Sequence, residues 1–380
     1  VGPMEFSSVF YKCAKLREVK ASDTNPNFES VHGVLYTKGR ETIVYFPSGY
    51  TGNFTIDSAT KRIGGGVFNG RENVTEITIP ASVIEIGENA FEGCANLISV
   101  TFLEPASDEQ AEPLTVGDAA FYNCTGLTSI ELPARTKSIG ASAFNQSKAA
   151  NAKLAEITLN EGLETIGENA FCNAGALTSI TIPSTVTEIG ARAFYLSALQ
   201  TVTFAENQNG VTPLTLGNYV FACCSSLKSA TLRKGTKNIP AYAFQNDKLL
   251  ETVTIPSTVT NDNSNGLYAV GVSAFDGCGA LNNLVFELGG EAPLSFAQKA
   301  FNECTSLEVL NLPKRISPFN GKYDIFQMGD GSALYNANAN MAFGTSPEKA
   351  VGYGGEKKYP IKEYNVVEDG GDYTSYDGVL

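Results

Sequence analysis

Between Leu177 and Phe194 the chain reads Leu-Thr-Ser-Ile-Thr-Ile-Pro-Ser-Thr-Val-Thr-Glu-Ile-Gly-Ala-Arg-Ala-Phe. Apolar Ile180 and Ile182 flank polar Thr181, the period-two alternation of a half-buried strand. Pro183 has no N–H to give a ladder, so the strand ends there. Val186, Ile189 and Phe194 then bring the chain back to a core from its far side. Gly190 suits a tight bend where a side chain would obstruct.

The same pattern returns along the chain. Ile77, Ile79, Pro80, Val83, Ile86, Gly87 and Phe91 form one copy; Ile130, Leu132, Pro133, Ile139, Gly140 and Phe144 form another. Val253, Ile255, Pro256 and Val259 begin a third, which an insertion interrupts. A phenylalanine after Ala or Val marks each turn: Phe10, Phe68, Phe91, Phe121, Phe144, Phe171, Phe194, Phe221, Phe244, Phe275 and Phe301. Four gaps are 23 residues and the rest from Phe91 on are 26 to 31, as small insertions into one unit would give. A fixed period in the twenties predicts a solenoid. One unit buries about five large apolar side chains at roughly 1.5–3 kcal/mol each. Ordering its backbone costs about 1–2 kcal/mol per residue. A single unit therefore cannot stand alone, and stacked copies must share their cores.

Leu177, Ile180 and Ile182 have the L-x-x-I-x-I spacing of a leucine-rich repeat. The expected fold is an α/β-type solenoid, mostly β. It is a right-handed leucine-rich-repeat superhelix with a parallel sheet on one face and short strands or 3-10 turns on the other. Residues 1–380 read as one such solenoid. Residues 1–65 hold N-terminal repeats with a hairpin-like element, 66–313 the regular repeats, and 314–360 an irregular insertion. Met341-Ala342-Phe343 resembles one more landmark inside that insertion.

With 27 basic and 40 acidic residues, a net charge of −13 argues against nucleic acid or an anionic membrane as partner. No stretch approaches a membrane span. Six of the eight cysteines lie three residues after a landmark phenylalanine: Cys13, Cys94, Cys124, Cys224, Cys278 and Cys304. One address per repeat implies one structural job, a small weakly polar side chain in an inner turn, and the expectation is buried free thiols. Cys172 and Cys223 fall off this address, and Cys223-Cys224 is the place to look for a metal or a disulfide. No C-x-x-C or His-linked spacing indicates zinc.

The phrases Leu177-Thr-Ser-Ile-Thr-Ile-Pro-Ser-Thr-Val-Thr-Glu-Ile-Gly and Ala90-Phe91-Glu-Gly-Cys94-Ala-Asn-Leu97 resemble the BspA-like, or Treponema pallidum-type, leucine-rich repeat family. The resemblance covers roughly residues 66–313. Asn25-Pro-Asn-Phe-Glu-Ser-Val-His-Gly-Val-Leu-Tyr36 is similar to a second family element, with His32 in its usual Asp place. The resemblance implies a secreted or surface-anchored bacterial protein that binds host matrix proteins, other cells or glycans. It implies no catalytic residues. A structural spacer presenting another domain of a longer protein is the alternative reading. A monomer without cofactor is expected.

The two ends match at an offset of 345 residues: Leu16-Arg-Glu-Val19 and His32-Gly33-Val34-Leu35 against Ile361-Lys-Glu-Tyr364 and Asp377-Gly378-Val379-Leu380. Residues 361–380 thus read as the start of a further repeat element, and the expectation is a chain cut from a longer array.

Candidate chemistry is sparse. His32 is the single histidine, so any His-based triad would run through it. Its place in a repeated hairpin-like element argues for a turn residue. Gly64-Gly65-Gly66 lacks the Lys-Ser/Thr of a phosphate loop. Three repeats replace the Ile-Pro turn with a longer connection: Phe102 to Leu114, Phe204 to Leu214 and Phe286 to Leu294. They carry Glu104, Asp108, Glu109, Glu112, Glu206, Glu287 and Glu291. These carboxylates form either a solvated edge or a weak site for cations or a basic partner; no D-x-D-x-D run supports calcium. A second candidate surface is the outward strand row, which includes Thr178, Ser179, Thr181, Thr201 and Thr203. It carries none of the aromatic or arginine anchors typical of interfaces.

Overall fold

The computed structural model describes residues 9–10, 13–106, 112–147, 152–207, 210–260, 268–287, 294–297, 299–312 and 363–366. They belong to two compact units, Val1–Val186 and Thr187–Leu380. The named elements among them are all strands. The insertion 314–360, its Met341-Ala342-Phe343 and residues 367–380 lie outside the described residues.

The first unit opens with β1 (Phe28–Val31), β2 (Val34–Thr37) and β3 (Thr42–Tyr45). β1 and β2 pair antiparallel with Val31 opposite Val34, leaving His32 and Gly33 as a two-residue loop. Both have positive φ, 52° and 79°, as a type I′ hairpin turn requires.

Strands then alternate between two faces. They are β4 (Phe54–Thr55), β5 (Arg62–Ile63), β6 (Glu76–Ile79), β7 (Glu85–Ile86), β8 (Ser99–Phe102) and β9 (Leu114–Val116). β10 (Ser129–Glu131), β11 (Thr136–Ile139), β12 (Glu156–Thr158), β13 (Thr165–Ile166) and β14 (Ser179–Ile182) continue the series. β4, β6 and β8 pair in parallel, as do β10 and β12. On the other face β3, β5, β7, β9, β11 and β13 pair in parallel. The longer strands bury alternate apolar residues, as β6 does with Ile77 and Ile79 and β14 with Ile180 and Ile182.

The second unit repeats the plan. Its strands are β15 (Glu188–Ile189), β16 (Thr201–Phe204), β17 (Thr215–Leu216), β18 (Ser229–Thr231), β19 (Thr252–Ile255), β20 (Asn283–Phe286), β21 (Val309–Leu312) and β22 (Glu363–Val366). β16, β18, β19 and β20 form a parallel sheet, β15 pairs with β17, and β22 runs parallel to β21.

A third edge carries the landmark phenylalanines. Around Phe91, the N–H groups of Asn89, Phe91 and Gly93 donate to the carbonyls of Asp118, Ala120 and Tyr122 one rung on, at 2.7–2.8 Å. Within the rung, Ala90 N–H donates to the Gly87 carbonyl and Cys94 N–H to that of Phe91, closing i→i−3 turns. Asn89 and Gly93 both have positive φ, so these turns do not run on as a helix. The rings between them are fully buried and stack. Phe91–Phe121 centroids are 5.0 Å apart at 4°, and Phe275–Phe301 are 5.4 Å apart at 3°.

The ladder cysteines sit behind that edge. Their Sγ donate to the carbonyl of the preceding rung's phenylalanine: Cys94 to Phe68 at 3.0 Å, Cys124 to Phe91 at 3.1 Å and Cys278 to Phe244 at 3.0 Å. A buried thiol thus gains the partner that buried polar groups need. None of the eight cysteines, all of them among the described residues, is in a disulfide. Cys13 departs from the expectation of a buried ladder thiol, since it is exposed on the N-terminal segment. Bends between faces need glycine because rungs crowd: a Cβ on Gly87 would sit 2.7 Å from Gly65 N, and one on Gly217 2.3 Å from Ala191 N.

Candidate functional site

The connection after β8 carries two of the sequence candidates, Glu104 and Glu112, both exposed. Arg135, buried beneath it, donates Nη1 to the carbonyls of Val83 at 2.6 Å and Glu112 at 3.2 Å. Burial lowers the Arg135 pKa, while Glu104 and then Glu112 oppose that shift. Lys61 Nζ donates to Glu112 Oε1 at 2.6 Å, and this bond holds the Glu112 carboxyl below its ordinary pKa. These two acids therefore face cations of their own chain. Asp108 and Glu109 lie outside the described residues.

In the second unit the connection after β16 shows a related arrangement. Arg233 is fully buried and donates Nη1 to the carbonyl of Thr212, two residues before the returning Leu214. Glu112 stands in the same relation to Leu114. Glu206 is exposed, Glu287 is half-buried with its N–H on the Ile255 carbonyl, and Glu291 is outside the described residues.

His32 lines a cleft with Tyr36, Tyr50, Phe54, Asp57, Pro80 and Leu103. Asp57 is already engaged there, by Arg40 Nη1 on Oδ2 and by the Ala59 N–H on Oδ1, each at 2.9 Å. Among the described residues no three His, Cys, Asp or Glu side chains are grouped to hold a metal, and no helix is long and apolar enough to cross a membrane. Cys223 is half-exposed and free, and Cys224 is buried with its thiol on the Phe194 carbonyl.

The outward strand positions of the second unit are in register: Thr201, Ser229, Thr252 and Asn283 in one row, Thr203, Thr231, Thr254 and Val285 in the next. They form an uncharged face without anchors.

Arginine and aromatic residues gather instead on the turn edge. Tyr219 and Tyr242, one rung apart, stack at 4.4 Å and 6°. The Arg192 guanidinium lies over the Tyr219 ring, 4.9 Å from its centroid. Both rings are half-exposed and Arg192 is exposed. Leu196, 43% exposed, and half-exposed Cys223 stand two residues after Phe194 and Phe221.

The backbone beneath this patch makes it unusual. With few exceptions, residues two before and two after each landmark phenylalanine have φ near +60°. In the first unit, Gly or Asn fills seven of nine such places: Gly66, Gly70, Gly93, Asn89, Asn123, Asn169 and Asn173, against Ala119 and Ser142. In the second unit they fill two of ten, Asn246 and Gly277. The other eight are Arg192, Leu196, Tyr219, Cys223, Tyr242, Ser273, Lys299 and Glu303. A left-handed conformation costs about 1–2 kcal/mol for a residue with an ordinary Cβ. Residues that hold such strain gather where something other than folding requires them. The signal was readable: counting two back from each phenylalanine between Phe68 and Phe301 gives Gly66, Asn89, Ala119, Ser142 and Asn169, then Arg192, Tyr219, Tyr242, Ser273 and Lys299. Reading only the strand rows missed it.

Comparison with known proteins agrees with this architecture. A family model described as BspA type leucine rich repeat region matches residues 44–151, 107–212, 148–268 and 215–323. Among solved structures, a leucine-rich repeat protein from Bacteroides ovatus is 21% identical over 80% of this chain and 79% of its own, with a TM-score of 0.47. A leucine rich cell surface protein from Faecalibacterium prausnitzii is 22% identical over 70% and 97%, TM-score 0.35. The T. pallidum leucine-rich repeat protein is 17% identical over 76% and 91%, TM-score 0.32. No match was found among curated proteins. The overlapping family matches run from residue 44 to 323, and the chain belongs to the BspA type leucine-rich repeat family.

Proposed function

We propose that the chain is a non-catalytic recognition protein of the bacterial surface, secreted or anchored, that binds host proteins, other cells or glycans. The observation that carries this reading is the replacement of Gly and Asn by Arg192, Tyr219, Tyr242 and Leu196 at left-handed positions of the second unit. Tyr and Arg dominate the energetics of protein interfaces. Here they stand where folding alone favours Gly or Asn. Single contacts are weak, and repetition along the turn edge strengthens them by multivalency.

The test is an array of matrix proteins and glycans probed with the wild-type chain and with Arg192→Asn/Tyr219→Asn/Tyr242→Asn. Asn is what the first unit uses at such positions, so the variant is expected to fold. Loss of at least tenfold in affinity for any captured ligand is the expected result. Unchanged binding would sink the assignment to this edge. The acidic connections supply the contrasting arm: if Glu104→Gln/Glu112→Gln/Glu206→Gln/Glu287→Gln abolishes binding instead, the acid edge is the recognition surface.

A further inference from the structure

We infer that the open edge of β4 takes an extended peptide of a partner protein as an added strand, one with alternate apolar side chains and basic flanks. The site lies wholly in the first unit and is independent of the turn-edge reading.

β4 pairs with β6 on one side and with no strand on the other among the described residues. Its bonds to the next rung run from the Gly52 N–H on the Asn73 carbonyl to the Ile56 N–H on the Thr78 carbonyl, each at 3.0 Å. In a parallel strand the N–H and C=O of one residue point to the same side, and successive residues alternate. With Ile56 turned toward β6, the backbone groups of Asn53, Thr55 and Asp57 turn outward. Tyrosines engage the first and the last. Tyr50 Oη donates to the Asn53 carbonyl at 3.3 Å, and the Asp57 N–H donates to the Tyr36 hydroxyl. Between them, the Thr55 N–H and C=O have no partner among the described residues.

The sheet that begins with β1 treats its first edge differently. There the Ala21 N–H donates to Ser30 Oγ at 2.7 Å and the Val19 N–H to the Gly33 carbonyl at 2.8 Å, so the chain covers its own edge. β4 has no such cover. Nor do residues Gly52 to Ile56 include the lysine or proline that commonly blunts an exposed edge.

Thr55 lines a cleft of about 420 Å³ whose apolar wall includes Tyr36, Tyr50, Phe54, Ile56, Pro80 and Leu103. Leu103 is 45% exposed. The one carboxylate in the lining, Asp57, is paired with Arg40 at 2.9 Å. An unpaired main-chain donor and acceptor beside an apolar wall is the complement of an extended peptide. Strand addition supplies main-chain bonds, and alternate side chains enter the pocket. The net charge of −13 favours basic flanks.

Fluorescence anisotropy would measure a labelled peptide of alternating threonine and valine, with lysines at both ends, against the full chain. It should bind, and bind more weakly as salt rises. Two N-methylated versions, one methylated at every threonine and one at every valine, separate main-chain pairing from side-chain contact. With the valines facing the cleft, only one set of N–H groups faces Thr55. One version should therefore lose at least tenfold and the other stay within about twofold of the parent. Thr55→Pro removes the outward N–H without touching the bonds to β6, and should also lose at least tenfold. Thr55→Val and Arg192→Asn/Tyr219→Asn/Tyr242→Asn should bind as wild type does. The methylated pair reads the edge even if the proline variant does not fold. The inference is overturned if the parent peptide does not bind, if neither or both methylated versions lose affinity, or if folded Thr55→Pro binds normally. It is also overturned if the wild-type chain dimerises in sedimentation and Thr55→Pro abolishes the dimer, which would assign the edge to a second copy.

Discussion

The Cys224 backbone N–H donates to Asp247 Oδ1 at 2.7 Å, and Asp247 occupies the ladder place that Cys278 fills one rung on. Asp247 is fully buried, and its Oδ2 has no hydrogen-bond partner among the described residues. Burial pushes its carboxyl well above the ordinary carboxylate range, against the opposing hydrogen bond from Cys224. The titratable neighbours are Cys223, Cys224 and Cys278, none of which supplies positive charge.

A carboxyl with a raised folded pKa favours the folded state fully below its unfolded pKa of about 3.9 and loses that contribution as pH climbs toward the folded value. The slope is up to about 1.4 kcal/mol per pH unit across that window. Asp247→Asn keeps the Oδ1 acceptor and removes the ionisation. We expect it to match wild type in urea unfolding near pH 4 and to exceed it by a margin that widens as pH rises toward 7. Asp247→Cys, which restores the ladder residue, should behave alike. A stability gap that does not change with pH would refute the assignment.

Thiol accessibility tests the ladder directly. Cys94, Cys124, Cys172, Cys224, Cys278 and Cys304 are buried, whereas Cys13 is exposed and Cys223 half-exposed. Burial also pushes the Cys124, Cys224 and Cys278 thiols up, which suppresses the reactive thiolate. Titration with a chromogenic disulfide should find two fast thiols in the native chain and eight after denaturation. Fast reaction of a third would mean that a ladder rung opens.

The phenylalanine and cysteine rungs were legible because one residue type repeats at one address. Asp247 has that address and a different side chain, so the repeat locates it while its chemistry emerges only from the surrounding burial. Arg135 and Arg233 were not legible at all. They stand at different places, three and one residues after Leu132 and Leu232, and converge only because each guanidinium reaches a connection carbonyl. The carboxylate candidates showed the converse limit. Glu112 read as part of an open acidic edge, but Lys61, 51 residues earlier in the chain, pairs with it.

That pairing yields a contrast. The Lys61–Glu112 ion pair is surface-exposed, and solvent screens such pairs so that they add little to stability. Arg135 is buried, and its loss leaves the Val83 and Glu112 carbonyls without their guanidinium donor. We expect Lys61→Ala to be nearly neutral and Arg135→Ala to destabilise by about 2–4 kcal/mol. Hydrogen exchange should then rise at Leu114, whose N–H is held by the Arg135 carbonyl at 3.0 Å. Equal effects from both variants would show that the connection is held from its surface.

The left-handed positions offer the sharpest separation of stability from recognition. Leu196 has φ 58° and Tyr242 φ 60°, and glycine takes this conformation without the Cβ penalty. Leu196→Gly and Tyr242→Asn should each stabilise the second unit by about 0.5–1 kcal/mol, after allowing for lost contacts and, for glycine, a freer unfolded chain. The reverse change in the first unit, Asn89→Tyr, should cost about 1 kcal/mol, because a bulky residue is poorly tolerated at positive φ. Thermal unfolding of the three single variants would measure this. Stabilised variants that no longer bind would identify a trade of stability for function. If Tyr242→Asn instead lowers stability by more than about 1 kcal/mol, the stacked pair is itself a folding element, and the case for a recognition edge loses its physical basis.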